Sequence, residues 1–254
     1  MKSQQLLAAA CLLVVTACND KPTPATAQTP KADNAVAWYE GYTLPTLLAQ
    51  PFLLKEPADL TSIGAQKWYA EFALQAEGNP KKTLAVSSCN DYLPHASEKW
   101  HTANERDNAA FMEIAVMCRA TQLMQAATKA KQSYLNDLAF NADLPKRLPA
   151  AIALVVSPTE RARLNADQSR KRWADVTPMT QVETLSPFRA NYRHTSGAQE
   201  LALVAKGDFN GDAIEDALIT SRDSVDNGSY SAVRLFLDHL RAATAELRAA
   251  EGAP

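Results

Sequence analysis

Alternation with a period of two is clearest at residues 67–75, where Trp68, Ala70, Phe72 and Leu74 share one face and Tyr69, Glu71, Ala73 and Gln75 the other. Side chains that return every second residue describe a strand with one buried face. The turn residues Glu77-Gly78-Asn79-Pro80 follow, and residues 83–87 (TLAVS) return as a partner, so a β-hairpin is expected. From about residue 96 to residue 138 the period lengthens and neither proline nor glycine interrupts it. Phe111, Ile114, Ala115, Cys118 and Gln122 fall on one helical face, flanked by Met112, Val116 and Leu123. This predicts one long packed helix, with Met112, Met117 and Met124 as core filler.

Around these elements the pattern is broken into shorter pieces. Trp38, Tyr42, Leu44, Leu47, Leu48, Phe52 and Leu53 form an apolar stretch that Pro45 and Pro51 restrict to short turns. Pro145 and Pro149 mark a break. Ser157-Pro158-Thr159-Glu160 then has the features of a capping box with proline at the first helical position, opening a polar helix toward Trp173. Beyond Pro178 the chain reads as strands at 181–185, 189–194, 200–205, 216–221 and 229–237, with a turn at Ser196-Gly197. Leu240, Ala243 and Leu247 suit a short amphipathic helix starting near Asp238. The expected class is α+β: an antiparallel sheet, one long packed helix, and a C-terminal β-hairpin carrying a loop described below. The absence of an internal repeat argues against a propeller or solenoid.

Composition narrows the function classes. The chain has 254 residues, 46% hydrophobic, enough for one sizeable core, and a net charge of −2 gives no footprint for nucleic acid. The densest basic cluster, Arg170-Lys171-Arg172, reads as a solvated helix face. Lys2 followed by the apolar run 6–17 is too short to span a bilayer, which takes roughly 20 residues, and has the form of a secretory signal. Residues 18–36, rich in Pro, Thr and Ala, cannot bury enough apolar surface to fold. They are expected to act as a tether with a reach on the order of 20–25 Å. Residues 37–254 then form a single folded domain.

Val15-Thr16-Ala17-Cys18 resembles a bacterial lipobox. The resemblance implies cleavage before Cys18, a diacylglyceryl thioether on its sulfur, and acylation of the new amino terminus. Asn19, where inner-membrane lipoproteins tend to carry Asp, implies an outer-membrane anchor facing the periplasm. Cys11 leaves with the signal and Cys18 takes the lipid, so Cys89 and Cys118 remain. In an oxidising compartment the simplest reading of that pair is a disulfide, the alternative being two buried thiols. Closing a loop of about 30 residues contributes roughly 3–4 kcal/mol on the chain-entropy model.

The stretch Gly207-Asp208-Phe209-Asn210-Gly211-Asp212-Ala213-Ile214-Glu215-Asp216 places oxygen-bearing side chains at every second position. A hard cation such as Ca²⁺ takes six to eight oxygens in alternating side-chain and backbone supply along a tight turn. The candidate ligands are Asp208, Asn210, Asp212, the Ile214 carbonyl and Asp216. An EF-hand is disfavoured because its final glutamate would fall at Ile219. The stretch resembles the D-x-N-G-D-G-x-x-D-L loops of FG-GAP and VCBS-type β-repeats, and more distantly the dockerin loop, which implies a Ca²⁺ site on those five residues. Where those loops carry glycine, this chain has Ala213, and alanine at positive φ costs roughly 1–2 kcal/mol. Weak, structural binding is therefore expected. The wider stretch is similar to uncharacterised proteobacterial exported proteins, a similarity that implies no activity.

Catalytic signals are sparse. His95, His101, His194 and His239 lie in no HExxH, GxSxG, P-loop or GxGxxG pattern, and His95, His101 and Glu98 read as a mixed surface cluster. The expectation is a non-catalytic lipid-anchored module with a structural Ca²⁺ loop, acting through an unknown protein or envelope partner. A metal-dependent hydrolase of an envelope polymer, and an interaction module whose loop holds no ion, are the alternatives.

Overall fold

The computed structural model describes residues 35–238 apart from residues 168 and 229. The signal peptide, the lipidation site Cys18, all but the last residues of the tether, His239 and the helix expected beyond Asp238 lie outside the described residues. In chain order the elements are β1 (Val36–Trp38), α1 (Asp59–Ile63), β2 (Phe72–Ala76), β3 (Asn79–Val86), α2 (Cys89–Tyr92), β4 (Trp100–Thr102) and α3 (Asn108–Gln125). They continue with α4 (Leu144–Arg147), α5 (Pro158–Ala166), α6 (Trp173–Val176), β5 (Gln181–Ser186), β6 (Arg189–His194), β7 (Gly197–Gly207), β8 (Asp216–Val225) and β9 (Ser231–Asp238).

The main sheet is antiparallel in the order β5-β6-β7-β8-β9. β8 pairs with β7 along its whole length, from Gly197 to Gly207. The opposite edge of β7 is shared: β6 pairs with 197–202 and β1 with 205–207, laid end to end. The α+β architecture expected from the pattern is thus present, with α3 packed against β9.

Both faces of this sheet are covered, which the sequence pattern did not convey. On one face Val204, Leu218, Val233 and Leu235 meet Phe111, Ile114, Cys118 and the β2–β3 hairpin in one core. On the other, Leu201, Leu203, Ala217, Ile219 and Phe236 pack against Leu135, Phe140, Leu144, Leu148, Ile152 and Trp173. This is why β7 carries the run Leu201-Ala202-Leu203-Val204-Ala205 in place of alternation: a strand buried on both sides is apolar on both.

The last three strands run Gly197–Gly207, Asp216–Val225 and Ser231–Asp238 where the pattern put 200–205, 216–221 and 229–237, and three larger differences have identifiable causes. The hairpin forms, but its first strand begins at Phe72, because Trp68 instead bridges Leu48 and donates its amide to Ser87. The predicted facing still holds: Trp68, Phe72 and Leu74 are buried and Tyr69 is exposed. The long helix covers 108–125, not 96–138. Upstream, Trp100 and Thr102 are buried as alternate residues of β4, a third strand added beside β2, and Asn104 accepts the Arg106 amide to open a turn of 3₁₀ helix leading into α3. Downstream, the chain leaves the helix to bond the β7–β8 loop. The polar helix after Ser157 is capped as expected, with the Ser157 hydroxyl accepting the Glu160 amide. It ends at Ala166, and Trp173, fully buried, opens the separate α6.

Cys89 and Cys118 form a disulfide with a Cα–Cα separation of 5.2 Å. Cys89 opens α2 directly after the hairpin and Cys118 lies mid-way along α3, so the bridge staples the principal helix to the small sheet. Both residues are at most 1% exposed.

Candidate functional site

The β7–β8 connection is built by its own side chains. β7 ends at Gly207, where a Cβ would lie 2.7 Å from the Ala35 carbonyl oxygen, so only glycine admits β1 alongside. Asp208 then accepts four hydrogen bonds. Its Oδ1 takes the amides of Gly211 (2.7 Å) and Asp212 (3.2 Å); its Oδ2 takes the amide of Ala213 (2.9 Å) and the hydroxyl of Thr128 (2.8 Å). Burial pushes this carboxyl up, but the Thr128 hydroxyl and the amides outweigh it and hold Asp208 below the usual carboxylate range. The pattern repeats along the loop: Asn210 Oδ1 accepts from Asp212, and Asp212 Oδ1 accepts from Ile214. Asp216, fully buried at the start of β8, accepts from the Phe209 amide and the Asn210 side chain. Asn210 and Asp212 thus each capture the amide two residues ahead, Asp208 those three to five ahead, and Asp216 closes the loop from its far end.

Two residues of this loop hold positive φ, Gly211 at 80° and Ala213 at 67°. The second is the position where the resembling loops carry glycine, so the strain expected from the sequence is present. Ala213→Gly is expected to stabilise the fold by about 1 kcal/mol, since relief of an alanine at positive φ exceeds the added chain entropy. A urea midpoint at or below that of the native protein would show the loop to be unstrained.

Carboxylate and amide oxygens are the donors a hard cation takes, so the residue types fit Ca²⁺. Their placement is another matter. A carboxylate has about four lone-pair directions, and all those of Asp208 are engaged by protein donors, so an ion would have to displace one of them. Among the described residues no three His, Cys, Asp or Glu side chains are grouped so as to hold a metal ion.

What the sequence reading missed is the partner of this loop, the segment that follows α3. The Thr128 amide donates to the Asp208 carbonyl, Lys131 and Gln132 donate to the Ala213 carbonyl, and the Glu215 amide donates to Gln132. Ser133 adds a hydroxyl bond to the Glu215 carboxylate at 2.5 Å. These residues lie about 80 positions from the loop in sequence, and nothing in their own composition marks them.

The histidine cluster does not assemble as a site. Glu98 pairs with Lys82, His95 lies edge-on to Trp100, and His101 is exposed on β4. His101 borders an open cleft of about 270 Å³ with Glu77, Lys99, Trp100, Asn108 and Met112, in which Lys99 and Glu77 pair at 3.6 Å. A buried polar network was also not foreseen. Asp223 accepts from Gln199, Ser221 and Arg234, and Gln199 and Arg234 donate to backbone carbonyls of 151–153. No described helix is long and apolar enough to cross a membrane. Comparison with protein-family models, with curated proteins and with solved structures finds no match to this chain.

Proposed function

We propose that this chain is a non-catalytic lipoprotein, anchored through Cys18 to the outer membrane and facing the periplasm, whose folded domain meets a protein or envelope partner. The observation that carries the reading is the buried Cys89–Cys118 bond, because disulfides of this kind persist in oxidising compartments. The lipobox-like Val15-Thr16-Ala17-Cys18 supports the same destination from the other end of the chain. A non-catalytic role is supported by how the buried polar side chains are spent: Asp208, Gln199 and Asp223 all bond the chain to itself. Cys18→Ser is expected to move the protein from the membrane fraction to the soluble periplasmic fraction. Retention in the membrane fraction would overturn the anchor.

The reading includes weak, structural Ca²⁺ binding, with Asp208, Asn210, Asp212, the Ile214 carbonyl and Asp216 as the residues that would hold the ion. The ion would neutralise the charge of Asp208, Asp212 and Asp216, and binding would require the loop to release one Asp208 hydrogen bond and draw these side chains together. Asp208 and Asp216 anchor the two ends of the loop, and the Ala213 and Glu215 backbone ties it to 128–133. With affinity of about 10⁻⁴–10⁻³ M, as in extracellular modules, about 5 mM Ca²⁺ is expected to stabilise the fold by roughly 1–2 kcal/mol. Asp212→Ala removes that gain. Identical melting curves in Ca²⁺ and in EDTA would sink this part of the reading and leave the anchor untouched.

A further inference from the structure

We propose that His194 makes the turn end of the main sheet pH-sensitive: the β6–β7 and β8–β9 turns stay latched while its imidazole is neutral and separate when it takes a proton. His194 is the last residue of β6, opposite Gly197, and only 4% exposed. Its Nδ1 lies 3.4 Å from both the amide nitrogen and the hydroxyl of Ser196, while its Nε2 is buried with no hydrogen-bond partner among the described residues. The Ser196 amide can only donate, so Nδ1 is the acceptor and the single ring proton sits on Nε2. A second proton on Nδ1 sets N–H against N–H and puts a full charge where the other nitrogen has nothing to bond.

Ser196 is the joint between the two turns. Its carbonyl accepts the Asp226 amide at 3.1 Å, and Arg193 pairs with the Asp226 carboxylate at 3.1 Å beside it. Below them the strands meet without slack, since a Cβ at Gly197 would fall 2.1 Å from the Ser224 carbonyl oxygen. A ring that must turn to release its Ser196 contact therefore displaces the residue to which the second turn is bonded. The charged groups acting on the ring are Asp226 of the β8–β9 turn and Asp223 of β8, which favour the proton, and Arg193 of β6, which opposes it. Burial outweighs the two carboxylates and lowers His194 from its ordinary 6.5. The sign follows: an opened latch binds the proton more tightly than a closed one, so the closed form is fully stable above pH 6.5 and weakens as the pH falls below it. This depends on the folded geometry alone and holds whether or not the chain is exported.

Amide hydrogen exchange on the full chain at pH 7.5 and 5.5, corrected for intrinsic rates, tests the latch. At the amides of Ser196, Gly197 and Asp226 the opening constant should rise by up to about tenfold per pH unit below 6.5. Those of the β2–β3 hairpin should stay constant. His194→Asn keeps an acceptor near Nδ1 without a titrating group, and its turn amides should lose the pH dependence. Equal pH dependence in variant and native protein, or none in the native protein, overturns the proposal. So does an imidazole NMR titration of native His194 with a midpoint at or above 6.5, which decides the matter even where the variant does not fold.

Discussion

Replacing Asp223 by alanine is expected to destabilise the domain by about 2–4 kcal/mol, the cost of leaving a half-buried guanidinium and the buried Gln199 amide without their carboxylate. The Asp223 side chain is 0% exposed and that of Arg234 22%, so solvent replaces the lost partner only in part. The damage extends past the ion pair. Asp223 also orients Gln199 and Ser221, and Arg234 holds the carbonyls of Ala151, Ile152 and Ala153, which brings the second core onto the sheet. Urea unfolding should show a lower midpoint with an unchanged m-value, because the surface exposed on unfolding is the same. The double variant Asp223→Leu, Arg234→Met should recover only part of the loss: it removes the unpaired charge but leaves Gln199 short of its carboxylate and the carbonyls of 151 and 153 without their Arg234 donor. A single-variant loss below about 1 kcal/mol would place this pair among ordinary surface bridges.

The second large effect belongs to the disulfide. Cys118→Ser should cost roughly 3–4 kcal/mol and lower the melting temperature by about 10 °C for a domain of this size. The sequence separation of 29 sets the first figure through the entropy of the closed loop. The new hydroxyl adds little, because a serine inside a helix can bond the carbonyl four residues back, as Thr121 does to Met117 here. Native protein under reductant should fall by the same amount as the variant, and the two losses should not add. A reduced native protein as stable as the oxidised one would mean that packing around α3, and not the covalent link, holds the hairpin. The same experiment bears on location: a domain that loses this much on reduction is suited to an oxidising compartment and poorly suited to the cytosol.

Local pattern carried the strands and the principal helix well. Arg189–His194 lies where the alternation put it, and Phe111, Ile114 and Cys118 face the core as their spacing requires. Where pattern failed, a competing tertiary contact won. Residues 96–107 have no helix breaker, yet Trp100 and Thr102 gain more by joining β2 as a third strand. Trp173 sits at the end of a polar stretch that reads as solvated, yet it is buried against Tyr192 with ring centroids 4.9 Å apart. The loop divides in the same way. Its oxygen spacing was legible because it is a property of ten consecutive residues, and the strain at Ala213 was implied by the resembling loops, which carry glycine there. Its anchoring to Thr128 and Ser133 was not.

By itself, then, the sequence determined what depends on neighbours along the chain: the β2–β3 hairpin, the core face of α3, the Ser157 cap, the oxygen spacing of the β7–β8 loop, and the cysteine pair left to bond. Only the tertiary structure decided what depends on residues far apart in sequence. Among these are Gln199 on Leu154, Arg222 on Glu113, Thr128 on Asp208, and the covering of β7 on both faces. The reason is physical. A hydrogen bond or an apolar face states only that a partner is needed, and which partner supplies it is settled by how the whole chain closes on itself.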